Sequence, residues 1–75
     1  MRYYIQDRTY CGDSVLWLYY KGFTINVENA STYNTREAIE LEKNSKYKKW
    51  PVEVVASLAY LQVTVEALNK VKEES

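Results

Sequence analysis

Ser14-Val15-Leu16-Trp17-Leu18-Tyr19-Tyr20, the run SVLWLYY at positions 14–20, decides how this chain is read. Successive side chains of a strand point to opposite faces, so Val15, Trp17 and Tyr19 share one side and Leu16, Leu18 and Tyr20 the other. Both sides are apolar or aromatic, whereas a half-buried antiparallel strand alternates apolar with polar. The segment asks for cover on two faces, in a chain of only 75 residues.

Working outward, Met1 to Arg8 alternates and reads as a first strand, with Tyr3 and Ile5 on one face and Tyr4, Gln6 and Arg8 on the other. The run TYCGDS carries Gly12 and Asp13, residues suited to a hairpin loop. Lys21-Gly22 supplies a second tight turn. Phe23 to Val27 then reads as a third strand, with Phe23, Ile25 and Val27 inward and Thr24 and Asn26 outward. Residues 1–27 are thus expected to form a three-stranded antiparallel meander.

The period changes after residue 33. Asn34 precedes Thr35-Arg36-Glu37, a capping-box spacing that starts a helix over 34–44. Ala38, Leu41 and Ile39 are its candidates for facing the sheet. NSKYKK reads as an inter-helix loop, and Trp50-Pro51 opens a second helix over 51–72, since proline suits a first helical turn. Val54, Leu58, Leu61, Val65 and Leu68 recur at steps of four, three, four and three. That periodicity outweighs the mild helix cost of the β-branched residues around it. The fold class is α+β: one domain, with two helices packed on one face of a three-stranded sheet.

Two helices on one face leave the other bare. Phe23, Ile25, Val27, Leu16 and Leu18, with Ile5 or Tyr4, are expected to meet the helices. Val15, Trp17 and Tyr19, with Tyr4 beside them, are expected on an open face, as an apolar patch large enough to mark a partner contact.

Composition narrows the chemistry. Ten basic and ten acidic residues cancel, which does not describe an obvious polyanion binder. The chain has no histidine, the commonest general base and metal ligand, and two glycines are too few for a phosphate loop. One cysteine, Cys11, makes neither an internal disulfide nor a zinc site and suits a reducing cytoplasm. The carboxylate pairs Asp7 with Asp13 and Glu40 with Glu42 sit at no evident cleft. The expectation is a cytoplasmic, non-enzymatic protein with no cofactor, no metal and no membrane segment. The run KNSKYKKW, residues 43–50, adds a second reading: Lys46, Tyr47, Lys48 and Lys49, with Arg36, combine charge with stacking rings, as nucleic-acid contacts do. The plainer reading of the same run is a solvated loop with Trp50 in the core. A third reading is a homodimer, through the open patch or through Val65, Leu68 and Val71 at the end of the long helix.

YYIQDRTYCGDSVLWL, then GFTINVENA, then YNTREA and a helix opened by Trp50-Pro51, resembles a group of small proteins encoded by bacteriophages and prophages. The likeness covers residues 3 to 41, with Trp50-Pro51 beyond. Arg8-Thr9, Asp13 and Leu18 depart from the group's more usual residues. The resemblance implies a setting in the host-cell cytoplasm. It also implies a role of the kind that short phage accessory proteins often have: binding one host protein or defence complex and blocking it stoichiometrically, as anti-CRISPR proteins and host-takeover factors do.

Overall fold

The computed structural model describes residues 1–58 and 64–70. The described elements are β1 (Arg2–Asp7), β2 (Trp17–Tyr19), β3 (Gly22–Thr24), β4 (Tyr33–Asn34), α1 (Thr35–Glu42), β5 (Tyr47–Pro51), α2 (Val52–Ser57) and α3 (Val65–Asn69), with a 3-10 turn at Val27–Asn29. The class is α+β with an antiparallel sheet, as read, but the sheet has five strands rather than three. β1 lies at its centre. On one side it pairs with β2, Gln6 opposite Trp17, and with β4, Tyr3 opposite Tyr33. On the other it pairs with β5 along five residues, from Tyr3 opposite Pro51 to Asp7 opposite Tyr47. β3 extends the β2 edge through a two-residue loop, Tyr20-Lys21. Gly22 follows that loop at φ 136°, a backbone region that L side chains rarely adopt.

β5 is the element that the sequence reading placed in a loop. Lysines are depleted in strands generally, but they are a common guard of exposed sheet edges, and among the described residues β5 has a strand neighbour on one side only. Pro51, which cannot donate to a ladder, stands at its end. The same proline, at φ −55°, passes the chain into α2.

Alternation along β1 and β5 assigns the faces. Tyr3, Ile5 and Asp7 oppose Pro51, Lys49 and Tyr47, while Tyr4 and Gln6 oppose Trp50 and Lys48. On the first face Tyr3 and Ile5 pack with Ala38 of α1, joined by Leu18, Tyr33, Leu41 and Tyr47. On the second, Val15, Trp17 and Trp50 pack with Val55 of α2 and Leu68 of α3, joined by Tyr4, Val27, Val54, Leu58 and Val65. The helices therefore lie on both faces, and the bare face expected around Trp17 does not exist. Trp17 is 0% exposed and Val15 1%. Val15 and Trp17 on one face and Leu18 on the other agree with the alternation read from SVLWLYY. It missed that each face has its own helical cover.

The physical cause is a break in the expected second helix. Thr64 is extended, at φ −78° and ψ 150°, and its hydroxyl accepts a hydrogen bond from the Ala67 N–H as the cap of α3. Its backbone bridges Ser14, and the Val65 N–H donates to the Asp13 carbonyl at 2.8 Å. Threonine is better placed at a cap than inside a helix, because its hydroxyl competes for nearby backbone groups. Folding α3 back also buries Leu68 on the sheet. A continuous helix from 51 to 72 is excluded at Thr64; residues 59–63 and 71–72 of that expectation, with Leu61 and Val71, lie outside the described residues. Val65 and Leu68 belong to the core and not to an overhanging dimer seam.

α1 carries both halves of its capping box. The Asn34 side chain accepts from the Glu37 N–H at 2.8 Å, and Glu37 Oε1 accepts from the Asn34 N–H at 3.0 Å. Ala38 is buried, whereas Ile39 is 51% exposed and does not face the sheet. The third-strand pattern also fails in part. β3 ends at Thr24, so Val27 turns into the Trp17 cluster, and Phe23 is 39% exposed.

The last turn of α1 is tied to β5 by Glu42. Its carboxylate accepts from the Lys49 backbone N–H at 2.9 Å and from Lys49 Nζ at 2.8 Å. Burial acts to raise this carboxyl, but the hydrogen bonds and charge of Lys49, helped by the Lys48 charge, prevail and hold it below its usual range. A carboxyl that titrates lower in the folded than in the unfolded chain stabilises the fold above its unfolded titration range. That contribution is lost as pH falls through the folded titration. Glu42→Gln is accordingly expected to lower the urea midpoint near neutral pH and to leave it almost unchanged in acid, once wild-type Glu42 is protonated too. An equal loss at both ends would show that the carboxylate charge is not what matters.

Candidate contact surface

Of the four residues read from sequence as a partner patch, Val15 and Trp17 are sealed in the core. Tyr4 is half-buried, its ring 5.6 Å from that of Trp17 at 56°. Tyr19 is half-buried, edge-on to Tyr20 with ring centroids 5.6 Å apart.

The basic and aromatic set is dispersed by strand alternation. Lys49 shares the α1 face and is bound to Glu42. Lys48 lies on the opposite face, its ammonium 4.8 Å from the Trp50 ring centre. Arg36 is exposed on α1. Lys46 and Tyr47 remain together at the start of β5, where Lys46 Nζ stands 5.0 Å above the Tyr47 ring and 5.6 Å from the Phe23 ring. Five residues that look like one basic stripe in sequence are therefore not one stripe in space.

What the fold does expose is a different pair of aromatic groupings. The Phe23 and Tyr47 rings lie 6.4 Å apart and only 31° from parallel, reaching over β2 and β1 toward each other, with Lys46 capping both. α1 packs on β1, β4 and β5, so the β2–β3 end of this face is closed by those two rings and Leu18 rather than by a helix. At the hairpin tip Tyr20 is 81% exposed, with Lys21 Nζ 5.6 Å from its ring centre. Phe23, Tyr20 and Lys21 were not read from the sequence as contact residues, and Phe23 was expected to face the helices. The available signal was local: a two-residue hairpin loop places Tyr20-Lys21 at a tip, where no core is within reach.

The chemistry-bearing groups are held in structural contacts. Asp7 is buried, and its Oδ1 accepts from both the backbone N–H of Thr9 at 2.9 Å and the Thr9 hydroxyl at 2.6 Å, a local turn. Glu40 pairs with Lys43 at 2.6 Å and Glu42 with Lys49. Cys11 is exposed, its thiol near the Thr9 carbonyl at 3.6 Å. Among the described residues no group of three or more acidic, histidine or cysteine side chains converges to hold a metal, and no helix is long and apolar enough to cross a membrane. No family model, curated protein or solved structure matches the chain.

Proposed function

We propose that this chain is a non-catalytic binding module that acts by occupying the surface of a partner protein. Its contact residues are Phe23, Lys46 and Tyr47 together with the hairpin tip Tyr20-Lys21. The observation that carries the reading is the near-parallel Phe23–Tyr47 pair under one lysine, with Phe23 exposed and Tyr47 half-buried. Aromatic rings at the surface of so small a protein, the tyrosines above all, belong to the residue types enriched among energetically dominant interface positions. The resemblance of residues 3 to 41 to phage-encoded proteins points to a host protein as the partner and to stoichiometric inhibition as the effect. A nucleic-acid role is less favoured, because alternation in β5 sends Lys48 and Lys49 to opposite faces and Glu42 binds Lys49.

The test is paired. The double variant Tyr20→Ala with Phe23→Ala is expected to lose a host partner that wild type retains, by roughly thirty-fold or more in affinity, while its unfolding midpoint stays near wild type. Ile39→Ala, an exposed apolar residue elsewhere, is the control that should bind normally. Binding unaffected by the double variant would sink this surface. A single-stranded oligonucleotide shift that weakens steeply with salt would favour the nucleic-acid reading instead. Light scattering separates a foreign partner from a second copy, since a lone chain is 8.9 kDa.

A further inference from the structure

Among the described residues, β5, β4 and β3 are the outer strands of the sheet, and their edges are not alike. The Arg8 N–H donates to the Lys46 carbonyl, and antiparallel pairing alternates from there, so Tyr47, Lys49 and Pro51 turn their backbone groups away from β1. Each outward position is closed. The Tyr47 N–H donates to the Asn44 carbonyl at 3.0 Å, the Lys49 N–H donates to the Glu42 carboxylate at 2.9 Å, and Pro51 has no N–H. In β4 the Asn34 N–H donates to Glu37 Oε1 at 3.0 Å. These donors are withheld from any further strand.

β3 differs. The Leu16 carbonyl accepts from the Asp7 N–H of β1, and two residues on the Leu18 carbonyl accepts from the Ser31 N–H at 3.3 Å, so both face away from β3. Leu18 and the Phe23 opposite it are therefore a non-hydrogen-bonded pair, and the Phe23 N–H and C=O point out from the sheet edge. The exposed Phe23 ring lies beside them, with Lys46 Nζ 5.6 Å from its centre, and Lys21 stands at the tip of the same hairpin. Residues 17–27 contain that lysine and no acidic residue. The edge thus offers a main-chain donor and acceptor, a ring and two neighbouring cations.

From this contrast we propose that the partner protein docks by adding an extended, acidic segment to β3 as an antiparallel strand. Antiparallel pairing is required because only there does one residue of the added strand satisfy both the N–H and the C=O of Phe23. That residue lays its side chain beside the Phe23 ring, where a β-branched group packs well. An acidic residue two positions toward the segment's C-terminus falls on the same face, beside Lys21. This rests on the binding-module reading above and narrows its partner to one that presents a strand.

The test titrates the full chain with the blocked peptide Glu-Thr-Val-Thr-Glu at millimolar concentrations and follows backbone amide resonances. The Phe23 amide should move downfield saturably, while that of Lys49, held by Glu42, stays in place. The same peptide with an N-methylated valine keeps every side chain but cannot donate to the Phe23 carbonyl, and should leave Phe23 unmoved. Lys-Thr-Val-Thr-Lys should bind roughly ten-fold more weakly, and Lys21→Glu, an exposed substitution, should abolish that preference. A Phe23 amide indifferent to the acidic peptide overturns the proposal, as does an equal response to the N-methylated peptide. If Tyr20→Ala with Phe23→Ala nevertheless loses a host partner, the contact surface stands and strand addition alone falls. A Phe23 shift that depends on protein concentration without peptide would assign the edge to a second copy, and would overturn the proposal too.

Discussion

Trp17→Ala is expected to remove most of the stability of this protein, not to leave a folded chain that has merely lost a contact. Trp17 is fully buried between Val15, Trp50, Val55 and Leu68, where the sheet meets both α2 and α3. Truncating a buried aromatic to alanine costs about 3–5 kcal/mol. A chain of this size has about 4–11 kcal/mol in total at ordinary stability per residue, and small domains sit toward the lower end. The urea transition, followed by Trp50 fluorescence, should move to a much lower midpoint or disappear. Trp17→Phe is the informative companion. The Trp17 Nε1–H is buried with no hydrogen-bond partner among the described residues, so phenylalanine removes an unsatisfied donor while losing only part of the ring volume. Its cost should be well under half that of alanine. A stable, cooperative Trp17→Ala protein would mean that this face is open after all, and would restore the partner patch centred on Trp17.

Leu68→Ala is the second large effect, expected at about 2–5 kcal/mol. Leu68 is 0% exposed although it belongs to a helix of only five residues, which has little stability of its own. α3 is held by its Thr64 cap, by the Val65 N–H bond to Asp13 and by this side chain packed with Trp17 and Trp50, with Val65 half-buried beside the same cluster. Glu66→Ala, on the exposed side of the same helix, should stay within about 0.5 kcal/mol of wild type. Equal, small effects of the two variants in urea denaturation would show that α3 does not close the second face.

The relation between the two sets of candidate residues has a simple physical origin. Val15, Trp17 and Tyr19 were grouped because period-two alternation puts them on one side, with Tyr4 beside them; Val15 and Trp17 do share one cluster, with Tyr4 packed against it. Their exposure was inferred from an assumed count of covering helices, which alternation does not measure. The basic candidates failed in the opposite way. Lys46, Tyr47, Lys48 and Lys49 are adjacent in sequence, and adjacency in a loop would keep them together; adjacency in a strand separates them. Only the pairing of β5 with β1 reveals which case holds, and that pairing is forty residues distant in sequence.

Local chemistry by itself determined the α+β class, a first strand within residues 1–8, a tight turn beside Gly22 and the Asn34–Glu37 capping box. In each case the decisive interactions lie within a few residues. Tertiary structure decided that the lysine-rich run is an edge strand, that the periodic C-terminal segment breaks at Thr64, and that both faces of the sheet are roofed. Those outcomes depend on competition between alternatives of similar local free energy, a few tenths of a kcal/mol per residue. Burying Leu68 and Trp17 against each other outweighs that margin several-fold.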